Sequence, residues 1–406
     1  MDEIKILLPK TLYILRDKPN QSIKTDAEEY NIYFRNILFP YLPEYDVVVN
    51  CAYGRNYGDR WCITEFPYDV DTFPLEIVLY DAWGRKKTAK TVTVQLQNKK
   101  LPLTPQKVLC IGDSMTRSQV YIEHIAMKLY NVRFVGTRSY NGTIWHEGRG
   151  GWSFLTYFNN KDASPFQFPQ NVPGKTYAGS ENFWNTVADP HHDNYSYDGF
   201  VPYTIQPGET FLRDGKLFER RTDGDVLVDD SPVLDFDIPR YMERHPECAP
   251  DVISILMGAN DQQSCPYELA EERTAQFMAN LAKALASIRA WSKDVPVVIN
   301  LPITGGDQYS WGKQVGCAHG AGRYDHIIKC FCEAILKEYD GKETENIYIS
   351  PMLAVLDPVY GFIREVHKAN RYSDANVEAH GNWVHPAICG YKQMGDALAA
   401  VLEKLR

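Results

Sequence analysis

From residue 106 on, short apolar runs alternate with stretches whose apolar residues recur every three or four positions. This rhythm restricts the fold more than any other feature. The runs are Lys107-Val108-Leu109-Cys110-Ile111-Gly112, Val132 to Val135, Asp251 to Met257, Pro296 to Leu301 and Ile347-Tyr348-Ile349. Between them, Ile122, Ile125 and Leu129 share one helical face, as do Phe277, Leu281, Leu285 and Ile288. His319 to Tyr339 reads as a further helix, and Tyr391, Met394, Leu398, Val401 and Leu405 mark a last one. A strand covered by helices on both faces loses its polar alternation, so the pattern predicts an α/β unit built on a parallel sheet.

The first hundred residues follow a different period. Asp46 to Asn50 and Trp61 to Thr64 are short β-branched runs, and Thr91 to Leu96 alternates strictly. Leu75 to Tyr80 pairs with that last run around Asp81-Ala82-Trp83-Gly84 as a hairpin. A small Ig-like β-sandwich over residues 1–100 is the simplest arrangement. Leu101-Pro102-Leu103-Thr104-Pro105 links it to a second domain over 106–406, since proline holds the preceding backbone extended. Residues 154 to 240 break the later rhythm and are rich in Asn, Asp, Gly, Pro and aromatics. They contain a hairpin, Phe211 to Phe218, with an Asp214-Gly215 turn. Lying between two sheet strands, this insertion is expected at one rim of the sheet, where α/β enzymes bind substrate.

Composition excludes several classes. The chain of 406 residues is 44% hydrophobic and 23% charged, which supports a large core rather than disorder. Its net charge of −9 argues against a phosphate-binding basic face, and so against nucleic acid. No apolar run approaches the ~20 residues of a membrane span, and Lys5 interrupts the apolar Ile4 to Leu8, so no signal peptide is expected in the chain as given. Nine cysteines without a CxxC pair exclude a ribbon-type zinc site and a complete disulfide framework. Cys110 and Cys389 are expected in the core, and Cys51 with Cys62 is the pair to consider for a bridge in an oxidising compartment.

Four segments carry residues suited to chemistry. Gly112-Asp113-Ser114 ends a strand and opens a helix, so Ser114 meets the N–H groups and positive dipole end of a helix N-terminus. His146-Glu147-Gly148-Arg149-Gly150-Gly151-Trp152 is glycine-rich, so its backbone can approach a ligand closely. Gly258-Ala259-Asn260-Asp261 follows the strand 251–257 and can aim an amide at the same rim. Asn382-Trp383-Val384-His385-Pro386 leads into the last helix, with proline at its first turn. Taken singly, each has an ordinary explanation as a turn, cap or loop.

In this order the segments resemble the SGNH (GDSL-type) hydrolases, over about residues 106 to 406. The match lies in Gly112-Asp113-Ser114, Gly148, Gly258-Ala259-Asn260-Asp261 and His385-Pro386. The wider outline resembles bacterial carbohydrate esterases with an N-terminal β domain. The resemblance implies a flavodoxin-like three-layer parallel sheet (the SGNH hydrolase fold) preceded by the β-sandwich. It implies Ser114 as nucleophile and His385 as base, with the Ser114 N–H, the Gly148 N–H and the Asn260 amide around the oxyanion. Such families usually place an Asp three residues before the His, where this chain has Asn382. An amide can accept from the imidazole but cannot balance its charge. The expectation is therefore a Ser114–His385 dyad, oriented by Asn382 or a backbone carbonyl, with Glu378 and Asp374 upstream as the alternative acids, and needing no metal or cofactor. His191-His192-Asp193 is not expected to hold a metal, because adjacent residues do not face one ion easily.

Trp145, Trp152 and Trp383 beside these segments offer flat faces for sugar rings, with Trp311 close by. Arg149 and Asp113 flank the same loops, and Phe183, Trp184, Tyr195 and Tyr197 add aromatics from the insertion. These point to removal of O-acetyl or other short acyl groups from a small-molecule or polysaccharide ester. A lipase or thioesterase is the alternative within the class. A non-catalytic carbohydrate-binding or attachment module on the same scaffold is the alternative outside it, and the Asn382 departure is its support.

Overall fold

The computed structural model describes residues 4–16, 29–139, 142–159, 165–170, 175–180, 199–200 and 204–406. In the N-terminal part, β1 (Thr11–Arg16), β2 (Asp46–Asn50), β3 (Thr72–Tyr80) and β4 (Lys86–Asn98) form a sheet in the order β1-β4-β3-β2. β1 runs parallel to β4, while the β3–β4 and β2–β3 pairs are antiparallel. Tyr30–Tyr33 and Arg60–Ile63 pair in a separate three-stranded sheet. Leu12, Ile14, Leu75, Val94, Ile32, Trp61 and Ile63 belong to one apolar cluster, so the two sheets share a core.

The second part is built on β5 (Gln106–Gly112), β6 (Val132–Val135), β7 (Trp145–Gly148), β8 (Val252–Leu256), β9 (Val297–Asn300) and β10 (Ile347–Ser350). β5 is central. Its first half pairs with β6 and its last two residues with β7, on the same side. On its other side follow β8, β9 and β10, and every one of these pairs is parallel. Arg138–Ser139 adds an antiparallel extension beyond β7.

Side-chain alternation along these strands sorts the two faces. Val108, Cys110, Val252 and Val298 pack with Ile122, Ile125, Met394, Leu398 and Val401. Leu109, Ile111, Ile253, Ile255, Val297 and Ile299 pack with Phe277, Leu281, Ile328 and Phe331. A parallel strand that must be apolar on both faces reads as a continuous run, which is why these strands were legible. Six helices matter for the site and core: α1 (Ser114–Arg117), α2 (Val120–Lys128), α3 (Ala270–Trp291), α4 (Gln308–Val315), α5 (Ala321–Tyr339) and α6 (Ile388–Lys404). Of these, α2 and α6 cover one face, and α3 and α5 the other.

Several readings are corrected. The helix expected from His319 starts at Ala321, and α4, capped by Asp307, precedes it. Antiparallel strands β11 (Arg364–Lys368) and β12 (Asn376–His380) form a hairpin ahead of the His385 loop that the residue pattern did not disclose. Cys110 is buried but Cys389 is exposed, and Cys51 and Cys62 are free thiols. The insertion hairpin forms from Thr210–Arg213 and Lys216–Glu219, with Asp214 and Gly215 both at positive φ as a two-residue turn of this hand requires.

Candidate active site

Ser114 is the first residue of α1, directly beyond the C-terminal end of β5. Asp113 caps this helix, its Oδ1 accepting the Met115 N–H at 2.9 Å. The Ser114 N–H lies in the first turn, where a helix offers no acceptor of its own. Asp113 is buried, which pushes its carboxyl up to about 7 against the Met115 N–H, and the charge of Asp261 adds to the rise. Burial likewise takes Asp261 up to about 7, although the Phe154 N–H donates to it at 2.9 Å.

His385 reaches Ser114 from the other end of the chain. Its Nε2 stands 2.8 Å from Ser114 Oγ. The two residues lie 271 positions apart, so the contact depends on the whole domain. Asn382 acts on the backbone of the same loop. Its Oδ1 accepts the backbone N–H groups of Val384 at 2.9 Å and His385 at 2.8 Å. A side-chain amide spent on its own loop fixes the backbone from which the histidine projects.

The glycine segment is a strand followed by a turn, not a free loop. Gly148 pairs with Gly112, and a Cβ on it would stand 2.4 Å from the Arg117 nitrogen, so only glycine lets β7 approach α1 this closely. Its N–H donates to His146 Nδ1 at 3.0 Å. That amide is thus turned away from the role expected of it. The Arg149 N–H is also committed, to the Gly112 carbonyl at 2.9 Å. The Trp152 N–H returns to the Arg149 carbonyl at 3.3 Å, closing a turn with Gly151 at φ +74. Asn260 ties the same turn to the end of β8, its Nδ2 donating to the Trp152 carbonyl at 3.0 Å.

Beneath this turn lies a buried polar group that sequence reasoning missed. Glu147 and Arg149 are fully buried and paired at 3.0 Å. Glu147 Oε1 also accepts from the Thr137 N–H, the Thr137 hydroxyl and the Tyr241 hydroxyl at 2.6–2.7 Å. The Tyr157 hydroxyl donates to the Gly112 carbonyl at 2.9 Å. Burial, with Arg149, Arg138 and Arg117 nearby, keeps His146 well below the usual imidazole range. The ring is therefore neutral, and acceptance at Nδ1 puts its proton on Nε2. The available signal was a Glu and an Arg two residues apart, Glu147 in β7 and Arg149 just beyond it, since such charges are rarely buried unless paired.

Of the expected substrate contacts, Trp145 and Trp383 are half-buried. Trp383 stands edge-on to buried Trp311, centroids 4.6 Å apart. Trp152, Arg149 and Asp113 are buried and belong to the support, Trp152 packing on Tyr157 at 4.9 Å. Arg149 is spent on Glu147 and Asp113 on its helix cap. His191, His192, Asp193, Phe183, Trp184, Tyr195 and Tyr197 lie outside the described residues. Among the described residues no group of three or more His, Cys, Asp or Glu could hold a metal ion. No described helix is long and apolar enough to cross a membrane.

No protein-family model matches the chain, and no curated protein matches it. Among solved structures, an acetyl esterase with an acetate ion is 14% identical at a TM-score of 0.36, covering 74% of this chain and 97% of that one. A carbohydrate acetylesterase from Sinorhizobium meliloti is 10% identical at a TM-score of 0.34, covering 74% and 100%. At these scores the likeness assigns neither fold nor activity.

Proposed function

We propose that the protein is a serine esterase of the SGNH (GDSL-type) class that removes O-acetyl or other short acyl groups from a carbohydrate. The observation that carries this reading is the 2.8 Å contact between Ser114 Oγ and His385 Nε2 at the C-terminal rim of a parallel sheet. The strand order β6-β5-β8-β9-β10 supports reading residues 106–406 as a flavodoxin-like hydrolase domain with an insertion at about 154–240. In the same reading, residues 1–100 are an accessory β-sandwich.

His385 takes the Ser114 proton as Oγ attacks the ester carbonyl, and returns it to the leaving sugar hydroxyl. Water, activated by the same imidazole, then releases the acid. The negative oxygen is met by the Ser114 N–H and the second hydrogen of Asn260 Nδ2. Gly148 does not join them, because its amide is occupied by His146. Half-buried Trp145 and Trp383 supply the faces on which a sugar ring stacks. The Ser114–His385 pair needs no metal for this chemistry.

The test is hydrolysis of p-nitrophenyl acetate, labelling with a serine-directed phosphonate, and acetate release from acetylated oligosaccharides. Ser114→Ala abolishes all three, and the wild-type label sits on Ser114. Turnover equal to the Ser114→Ala control would overturn the reading in favour of a non-catalytic carbohydrate-binding module.

A further inference from the structure

The loop that carries His385 is held by a neighbour outside the four segments. Residues 301–307 connect β9 to α4, and they end at Asp307. Asp307 Oδ1 caps α4 through the Ser310 N–H at 3.0 Å, while its Oδ2 accepts the His380 N–H at 2.9 Å. In return the Asp307 N–H donates to His380 Nδ1 at 2.8 Å. Because Nδ1 accepts, the proton lies on Nε2, which donates to the Val359 carbonyl at 2.8 Å. The buried His380 ring is thus neutral and bonded at both nitrogens, and burial lowers its pKa further.

Two glycines complete the contact. The Gly306 N–H donates to the Trp383 carbonyl at 2.9 Å, and the Gly305 N–H to Asp325 Oδ1 at 3.0 Å. A Cβ on Gly306 would stand 2.4 Å from the Asn382 carbonyl oxygen. The stretch from His380 to His385 is therefore fixed at His380, at Trp383 and, through its own side chain, at Asn382.

We propose that Asp307, His380 and Gly306 are positioning residues that set His385 in register with Ser114. This rests on the reading of that pair as the reacting groups. Here a carboxylate, that of Asp307, holds the backbone of the loop that carries His385, at His380. Asp307 acts two steps removed from the imidazole, through His380 and the loop.

The experiment compares Gly306→Ala, His380→Leu and His380→Asn with the wild type. Asn is the conservative variant, since its side-chain oxygen replaces the Nδ1 acceptor. Phosphonate labelling at Ser114 and kcat for p-nitrophenyl acetate fall ~10²-fold in Gly306→Ala and His380→Leu, with KM nearly unchanged, as expected for a displaced base. His380→Asn recovers most of the rate. Crystal structures of the first two variants show His385 Nε2 out of hydrogen-bond reach of Ser114 Oγ. A folded His380→Leu or Gly306→Ala with His385 unmoved overturns the proposal, whether or not the serine is reactive. If instead the wild type itself is not labelled while the variants displace His385, the esterase reading falls and the positioning role stands.

Discussion

Asn382 and Asp113 each adjoin a member of the proposed Ser114–His385 pair, and the side chain of each accepts backbone N–H groups. Asn382→Ala removes an acceptor from two backbone N–H groups and loosens the His385 loop. A kcat loss of about tenfold is expected, against the ~10⁴-fold loss when a true triad carboxylate is replaced. Steady-state kinetics on p-nitrophenyl acetate decide the point, and a loss above a thousandfold would make Asn382 a full catalytic member. For Asp113 the test is stability against pH. Its carboxyl is raised from the ordinary 3.8 to about 7 by burial. Below pH ~4 it is protonated in both folded and unfolded chains. Between there and pH ~7 only the unfolded chain releases the proton, so stability falls as pH rises and is level beyond. Asp113→Asn keeps the helix cap and removes this loss. Urea unfolding is expected to find the variant about 2–4 kcal/mol more stable relative to wild type at pH 8 than at pH 4. A difference independent of pH would refute the protonated carboxyl. Ser114 and His385 were legible because residue type and order suffice to propose them. The burial of Asp113, Arg149 and Trp152 was not, since a sequence does not say which side of a turn faces the sheet.

At the scale of elements, β7 shows where a pattern misleads. Three glycines at 148, 150 and 151 suggest a loose loop, yet the first of them ends a strand, Trp145–Gly148, whose alternate residues face opposite ways, and the other two lie in a closed turn. His146 and Gly148 face one side and close the backbone on itself. Glu147 faces the other and gathers Thr137, Tyr241 and Arg149. Glu147→Gln leaves Arg149 buried without its carboxylate. Chemical denaturation is expected to report a loss of about 3–5 kcal/mol, as for other buried pairs broken on one side. A loss below ~1 kcal/mol, the range of an exposed pair, would show that the arginine finds water instead. The parallel strands other than β7 were read with nearly correct bounds, and the long helices were placed by their faces, because their apolar periods are strong. The β11–β12 hairpin was missed for the opposite reason. Val366 and Val377 are exposed and its inward face is mostly polar, so apolar alternation hardly marks it.

The whole molecule depends on a helix that the sequence reading described too simply. Tyr391, Met394, Leu398, Val401 and Leu405 suggest a single apolar stripe. In α6, however, every residue from Ala397 to Glu403 is buried, and a helix apolar on all sides must be covered on all sides. One side meets the parallel sheet and α2, and β1 of the N-terminal part packs on it as well. Polar contacts reinforce the junction. Asn36 Nδ2 donates to the Leu353 and Leu356 carbonyls at 2.8 and 2.7 Å, and Lys329 Nζ to those of Arg35 and Leu38 at 2.7 and 2.9 Å. Lys329 is buried, which lowers its pKa to about 8. Without residues 1–100 the ammonium would lose both carbonyl acceptors, and the outer side of α6 would be bare. The linker at 101–105, with Leu101 and Leu103 fully open to solvent or nearly so, suggests two separable beads. The shared core suggests the reverse. A chain cut to residues 101–406 is therefore expected to be expressed insoluble, or to bind a hydrophobic dye and melt without a cooperative transition. The deciding comparison is dye binding and calorimetry of the cut chain against the full one. A cut chain that melts cooperatively and still reacts at Ser114 with the phosphonate would show that the N-terminal sheets are an appendage, and that α6 tolerates water on its outer face.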